Sequence, residues 1–319
     1  MHNSNRICIL GGTGFVGRTL VRRLAGLGYE VNILSRHPER NRDLLIGSGI
    51  RLFKANVHNE HTLQRHFLGC AAVINLVGIL NEFRYQTFRG VHVDLPGKVM
   101  RACWKTEVPL LLHMSALNAD AGTGTSQYLR TKGEAEDLLH VDAGDELQVI
   151  RFRPSVIFGA GDRFFNRFAS LLRRIPVFFP LACANARFAP VYVGDVADAF
   201  VAALRHPATS DERYSLCGPK SYSLKELVEY TAMQIGVKRR IIPLGRTGSR
   251  LQAAFLGLAP GKPFTLDNYH SMQIDSVCHD NGLARLGISA TPLEAIVPGY
   301  LSCISERSRY DVFRRNIRS

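Results

Sequence analysis

No stretch of this 319-residue chain is apolar for long enough to cross a bilayer, and no C-x-x-C pair occurs among its seven cysteines. A spanning helix needs about 20 consecutive apolar residues, whereas the longest candidate, IPVFFPLACA (175–184), is short and broken by prolines. The opening MHNSNRICIL runs straight into a strand pattern without the apolar core of a signal peptide, so none is expected. Cys8, Cys70, Cys103, Cys183, Cys217, Cys278 and Cys303 are scattered, which argues against a disulfide framework and against a zinc knuckle. No metal site is expected, and a reducing, cytoplasmic setting is. Repeats and low-complexity segments are also missing. Acid is in short supply: 27 Asp and Glu against 40 Lys and Arg leave a net charge of +13, part of it in the tail ERSRYDVFRRNIRS (306–319). Such a surface attracts an anionic lipid surface, an acidic protein partner or nucleic acid, unless it is merely solvated. Charge alone does not choose among these, and no specific nucleic-acid partner is expected.

What is present is an alternation of short apolar runs with helical patterns. RICIL (6–10), YEVNIL (29–34), IRLFKANV (50–57), AAVINLVG (71–78), PLLLHMSA (109–116) and LQVIRF (147–152) read as strands. The segments between them, such as 16–27, 84–104 and 128–141, are long enough for crossover helices. This predicts an α/β fold with a doubly wound parallel sheet of the Rossmann type. Residues 1–152 form the expected dinucleotide-binding domain. Residues 153–319 form a smaller C-terminal lobe interleaved with the last sheet elements, with helices expected in GDVADAFVAAL and SLKELVEYTAMQI. The apolar RLQAAFLGLAPGKPF (250–264) cannot be one continuous helix because of its proline and glycine. Its plain reading is core packing; a lid or docking surface is the sharper one.

The first strand runs into GGTGFVG, where Gly12, Gly14 and Gly17 fit G-x-G-x-x-G and Gly11, Gly14 and Gly17 fit G-x-x-G-x-x-G. A strand precedes it, a helix follows at Phe15 and Val16, and a second strand ends about twenty residues on, the context a dinucleotide-binding turn requires. Glycine leaves room for a pyrophosphate, and a helix start offers unpaired N–H groups to it. Gly11, Thr13, Gly14, Phe15, Val16 and Gly17 are therefore the candidate phosphate cradle. At the end of the second strand an NAD site usually places an acid; VNILSRHP supplies Ser35 and Arg36 instead. A guanidinium suits a 2′-phosphate, so NADP (NADPH) is the expected cofactor. Asn56 and Val57 end the third strand on the adenine side, and Leu76, Val77 and Gly78 follow the fourth. His58, His61 and His66 read as a solvated helix start.

After the fifth strand, Tyr128 and Lys132 share a helix face at i and i+4. With ten tyrosines in the chain the spacing alone is weak; its position gives it weight. An ammonium there can hold the nicotinamide ribose and lower the tyrosine pKa toward neutrality, so both are the candidate catalytic residues.

Together GGTGFVG, YLRTK, RFRPSVIFG and PVYVGDVADAF resemble the extended short-chain dehydrogenase/reductases in order and spacing. SALNA (115–119), YLRTK, PGKPFTLDNY (260–269) and LGISATPLEAI (286–296) further resemble an atypical branch, the NADPH-binding accessory subunit of respiratory complex I and its bacterial relatives. The resemblance implies that Pro154, with Arg153, forms the turn over the nicotinamide carboxamide; Arg153 is also a candidate substrate anchor. It also exposes departures from an epimerase-like catalytic pattern. Ser115 is followed by Ala116 where active members carry a second hydroxyl, and His92 stands where they carry asparagine. Losing one such donor costs about 10²- to 10³-fold in rate unless Ser115, Thr125 or Ser126 replaces it. The expectation is an accessory protein that holds the cofactor on a respiratory or quinone-linked membrane assembly, peripheral to the membrane and on the matrix side if mitochondrial. The alternative is an active NADP-dependent reductase or nucleotide-sugar epimerase.

Overall fold

In the computed structural model, which describes residues 5–83, 85–144, 147–206 and 212–302, the six expected strands are β1 (Arg6–Leu10), β2 (Glu30–Ser35), β3 (Ile50–Lys54), β4 (Ala72–Asn75), β5 (Leu110–Met114) and β6 (Gln148–Pro154). A seventh, Arg213–Leu216, completes a sheet with the order seventh, β6, β5, β4, β1, β2, β3. Every pairing in it is parallel. The centre of the sheet is buried on both faces, which is why β4 and β5 are continuous rather than alternating apolar runs. Helices α1 (Phe15–Gly26), α2 (Glu60–Phe67), α3 (Leu95–Lys105) and α4 (Gln127–Asp142) supply the cover. Leu63, Phe67, Val99, Cys103 and Leu139 form one apolar layer with β1, β4 and β5 residues Cys8, Val73 and Leu111. From β1 the chain winds outward through β2 and β3, then returns to β1's other side with β4. The strand order therefore reverses between β1 and β4, the switch point at whose C-terminal edge doubly wound sheets place their sites.

The chain divides into two compact units: Met1–Pro154 with Val193–Leu216 and Cys278–Ser289, and Ser155–Tyr192 with Cys217–Val277 and Ala290–Ser319. In the first, the helix Val193–Arg205 packs on α1, with an Arg23–Asp198 ion pair at 3.2 Å. The second has its own core, including Phe158, Phe165, Leu172, Phe179, Leu227 and Val297. There Asp162 caps the helix Phe165–Arg174 by accepting from Phe165 N at 2.7 Å, and Tyr300 donates its hydroxyl to the same carboxylate at 2.5 Å.

Two expectations are corrected and one is refined. The crossover helix expected over 84–104 is present from residue 88 to Lys105 but contains a π-helical turn, Gly90–Asp94, leading into α3, whose second residue is Pro96. The segment 250–264 is helical only to Leu258, as its proline and glycine dictate, but its large side chains point outward rather than into the core. Cys8, Cys70, Cys103 and Cys183 are free thiols, whereas Cys217 and Cys278 are disulfide-bonded. The basic tail at 306–319 and Arg84 lie outside the described residues.

Candidate functional site

The glycine turn is shaped by main-chain contacts that no other residue type permits. Gly11 has φ +80°, and a Cβ on it would meet the backbone of Leu76 and Val77 at 3.1 and 3.2 Å, so the loops after β1 and β4 touch. A Cβ on Gly17 would lie 2.3 Å from Gly11 O and 2.6 Å from Gly12 Cα. Gly14 N donates to Gly11 O at 2.9 Å, closing the turn just before α1. The helix start at Phe15 and Val16 carries no side-chain cap and no acid in its first turn, so its amides and positive dipole end are left for an anion. Arg18, not singled out by the sequence motif, braces the loop: its Nε donates to Thr13 O at 3.2 Å and its Nη2 to Asn41 at 2.7 Å, with Asp43 beside it.

Beyond β2 and β3 lies a cavity of about 450 Å³ lined by Arg36, Lys54, Ala55, Asn56, His58, Tyr85 and Gln86. Two cations and no carboxylate line it. Arg36 and Asn56 are thus brought together as expected, and His58, exposed to solvent as expected, lines the same cavity. Burial, with Lys98 and Arg36 nearby, holds the His58 pKa below its usual value. Ser35 is buried at the end of β2, its Oγ accepting from His37 N at 3.2 Å. Val57 and Val77 do not line the cavity; they pack against the core of the first unit.

The third cluster gathers at the ends of β4 and β5. Lys132 is only 3% exposed, and its Nζ donates to Met114 O at 2.9 Å. A Cβ on Gly78 would sit 3.3 Å from that Nζ and 3.7 Å from His92 Nε2, so Gly78, His92 and Lys132 are neighbours. Burial lowers the Lys132 pKa to about 8, against the opposing charge of Glu136. Tyr128, half-buried, meets the rings of His92 and Phe88 edge-on at centroid distances of 5.4 and 6.2 Å.

His92 is locked. Ile79 N–H donates to its Nε2 at 3.1 Å, so in the neutral ring the proton sits on Nδ1, 3.0 Å from Thr131 Oγ1. Thr131 in turn donates to Gln127 O at 2.8 Å. Burial first, then the Lys132 charge, push the His92 pKa down to about 2. Of the three hydroxyls that could replace the one missing at Ala116, Ser126 is committed as the N-cap of α4, accepting from Leu129 N at 3.1 Å. Ser115 Oγ and Thr125 Oγ1 are buried without a hydrogen-bond partner among the described residues.

Arg153 is already engaged. Its Nε lies 2.8 and 2.9 Å from the two carboxylate oxygens of the fully buried Glu136, and Arg151 Nη1 donates to Glu136 O at 3.2 Å. This ion pair, with Arg213 Nε a second counter-charge 3.5 Å from the same carboxylate, competes with the expected substrate role, because a carboxylate removed from water needs cations beside it. Glu136 was missed, although Tyr128, Lys132 and Glu136 follow one helix face at i, i+4 and i+8. Pro154, buried, accepts from Leu117 N at 3.0 Å through its carbonyl, tying the end of β6 to the segment after β5.

A doubly wound sheet with a glycine cradle, a cationic cavity and a Tyr-x-x-x-Lys helix defines the nicotinamide-dinucleotide-binding extended short-chain dehydrogenases and reductases. Within that class, residues 7–217 match the NAD dependent epimerase/dehydratase family, and the chain belongs to it. It is 30% identical over 298 residues to "NADH dehydrogenase [ubiquinone] 1 alpha subcomplex subunit 9, mitochondrial" of Rattus norvegicus, covering 90% of this chain and 77% of that one. It is 29% identical over 246 residues to a "Ceramide reductase" of Caulobacter vibrioides, covering 76% and 74%. Among solved structures it resembles "MoeE5 in complex with UDP-glucose and NAD", with a TM-score of 0.70, 18% identity and coverage of 96% and 99%, a likeness of fold.

Proposed function

We propose that this chain holds NADPH as a structural or redox-sensing element while serving as an accessory protein of a respiratory or quinone-linked membrane assembly. The observation that carries this is the locked His92. In the position where the catalytic pattern has asparagine, both ring nitrogens are engaged and the ring stays neutral, while Ala116 offers no hydroxyl. Lys132 nevertheless remains buried beside Gly78 with one donor bond to Met114 O, which leaves two N–H donors for a ribose. In this reading the cradle from Gly11 to Gly17 receives the pyrophosphate, Arg36 the 2′-phosphate, Asn56 the adenine side and Pro154 the carboxamide end. Gly11 and Gly17, where a Cβ would collide with neighbouring backbone, let the turn close tightly before the uncapped helix start at Phe15, whose free amides suit a pyrophosphate. When bound, the nicotinamide supplies hydride chemistry; the residues of the chain orient it and shield it. The similarity to the mitochondrial complex I subunit supports the accessory role.

A second reading, an active NADP-dependent reductase or nucleotide-sugar epimerase, draws on Ser115 Oγ and Thr125 Oγ1. Both are buried donors without partners among the described residues, as a substrate oxygen would require. The similarity to the Caulobacter ceramide reductase supports it.

One pair of variants separates the two. In the accessory reading Lys132→Ala loosens NADPH by at least about tenfold, roughly 1.4 kcal/mol, and fails to complement a deletion strain. Tyr128→Phe then costs at most one hydrogen bond, about 0.5–1.5 kcal/mol, and complements. A Tyr128→Phe protein that binds NADPH normally but does not complement assigns proton transfer to the tyrosine and overturns the accessory reading.

A further inference from the structure

The helix Arg246–Leu258 in the second unit is fastened by polar side chains and exposes apolar ones, the reverse of an ordinary surface helix. Gln252 accepts from Ala182 N at 3.0 Å and donates to Pro180 O at 3.0 Å. Ser249 Oγ accepts from Cys183 N at 3.1 Å and donates to Leu244 O at 3.2 Å, and Ala253 is buried beside it in the sequence pattern. On the outward side Leu251, Phe255 and Leu258 are 66%, 76% and 88% exposed. Their spacing of i, i+4 and i+7 aligns them in one stripe. The strand that anchors Gln252, Phe178–Leu181, adds an exposed Phe178, whose register partner is the exposed Arg240.

The charges along this segment have one sign, although the helix Leu266–Ser271 packed against it carries Asp267. From residue 238 to residue 262 the sequence carries Lys238, Arg239, Arg240, Arg246, Arg250 and Lys262, and neither Asp nor Glu. Arg246 and Arg250 stand on the helix itself, exposed, and enter no ion pair among the described residues. A second copy of the chain would bring arginines against arginines with no carboxylate in the segment to neutralise them. An anionic phospholipid surface supplies what both features lack: an apolar boundary for a leucine and phenylalanine stripe, and phosphates for the cations flanking it.

We propose that the helix Arg246–Leu258 is a monotopic docking element that lies on a bilayer bearing anionic phospholipid. Leu251, Phe255 and Leu258 enter the headgroup and acyl boundary, and Arg246 and Arg250 meet the phosphates. The proposal rests on the reading that this chain works at a membrane, and not on the cofactor it holds.

The test is co-sedimentation of the full chain with vesicles of phosphatidylglycerol and phosphatidylcholine, against phosphatidylcholine alone, with the NADPH-induced melting shift measured on every sample. Binding is expected to the mixed vesicles, at least about tenfold weaker to the neutral ones, and lost near 1 M salt, where the screening length falls to about 3 Å. Phe255→Asp with Leu258→Asp, and separately Arg246→Glu with Arg250→Glu, each lower binding by at least about tenfold and leave the NADPH shift unchanged. Equal binding by either double variant overturns the proposal, as does indifference to lipid charge. A concentration-dependent dimer that the apolar double variant abolishes, seen by analytical ultracentrifugation, assigns the stripe to a second copy and also overturns it. Wild-type protein that shows the NADPH shift but never sediments refutes the docking and leaves the cofactor reading standing; the opposite pair of results refutes the cofactor reading alone.

Discussion

Arg36 and Arg153 show how far a single residue can be read. Both are arginines at the C-terminal end of a strand, and both were candidates for an anionic or polar ligand. Arg36 keeps that role open, because it lines a cavity with Lys54 and no carboxylate. For Arg153 an ion pair with the buried Glu136 competes with it. A charge-assisted contact from Arg36 to a 2′-phosphate is worth about 1.5–3 kcal/mol, so NADPH should bind at least about tenfold tighter than NADH. Arg36→Glu should erase the preference by repelling the phosphate and offering the NAD ribose an acceptor. Fluorescence titration with both dinucleotides measures this, and equal affinities for the wild-type protein rule out the assignment. The sequence identified Arg36 correctly as a residue without an acid next to it. It placed Glu136 on the helix face of Tyr128 and Lys132 but gave no sign of its pairing with Arg153, which lies 17 positions away and meets it only through the packing of α4 on β6.

At the scale of elements, the turn between β1 and α1 was legible because glycine is demanded by the local backbone itself. Gly17 makes the demand testable. A methyl there would meet Gly11 O and Gly12 Cα at 2.3 and 2.6 Å, and main-chain atoms cannot rotate aside. Gly17→Ala should therefore abolish dinucleotide binding and destabilise the fold by about 1–3 kcal/mol. Gly26→Ala, on the same helix with open space around it, should be neutral or stabilising by up to about 1 kcal/mol. Chemical denaturation and NADPH titration of the two variants check the contrast; equal losses in both would place the effect in the helix rather than in the turn. The strands were legible for a related reason, since burial on both faces of a parallel sheet writes an apolar run into the sequence. The π turn at Gly90–Asp94 was not, although it sets the position of His92. Its register depends on what His92 finds across the helix, namely Thr131 and the Ile79 amide.

For the whole molecule, the buried imidazoles predict how stability responds to acid. His92 is held near 2, and His113, fully enclosed with Lys132, His92 and Arg151 around it, is held well below its ordinary value. Below about pH 6.5 the unfolded chain binds protons on both rings that the folded chain refuses. Stability present above that pH is therefore lost as pH falls, with a contribution of about 1.4 kcal/mol per pH unit from each ring. His92→Asn should remove one of the two contributions, so its unfolding free energy should fall less steeply than the wild type's between pH 6.5 and about 4.5. Parallel slopes in denaturant titrations across that range would contradict a buried neutral His92.

The α/β class, the glycine turn, the missing acid after β2 and the placing of Tyr128 and Lys132 on one helix face were all determined by the sequence alone. Each depends on residues within one turn, one strand or one helix face, where spacing fixes geometry. Only the tertiary structure decided that His92 is engaged at both nitrogens, that Arg153 is paired with Glu136, that His58 lines the Arg36 cavity and that Leu251, Phe255 and Leu258 point outward. These outcomes join groups far apart in the chain or turn on which face of a helix is covered. Desolvation and counter-charge settle them, and both exist only once the elements have packed.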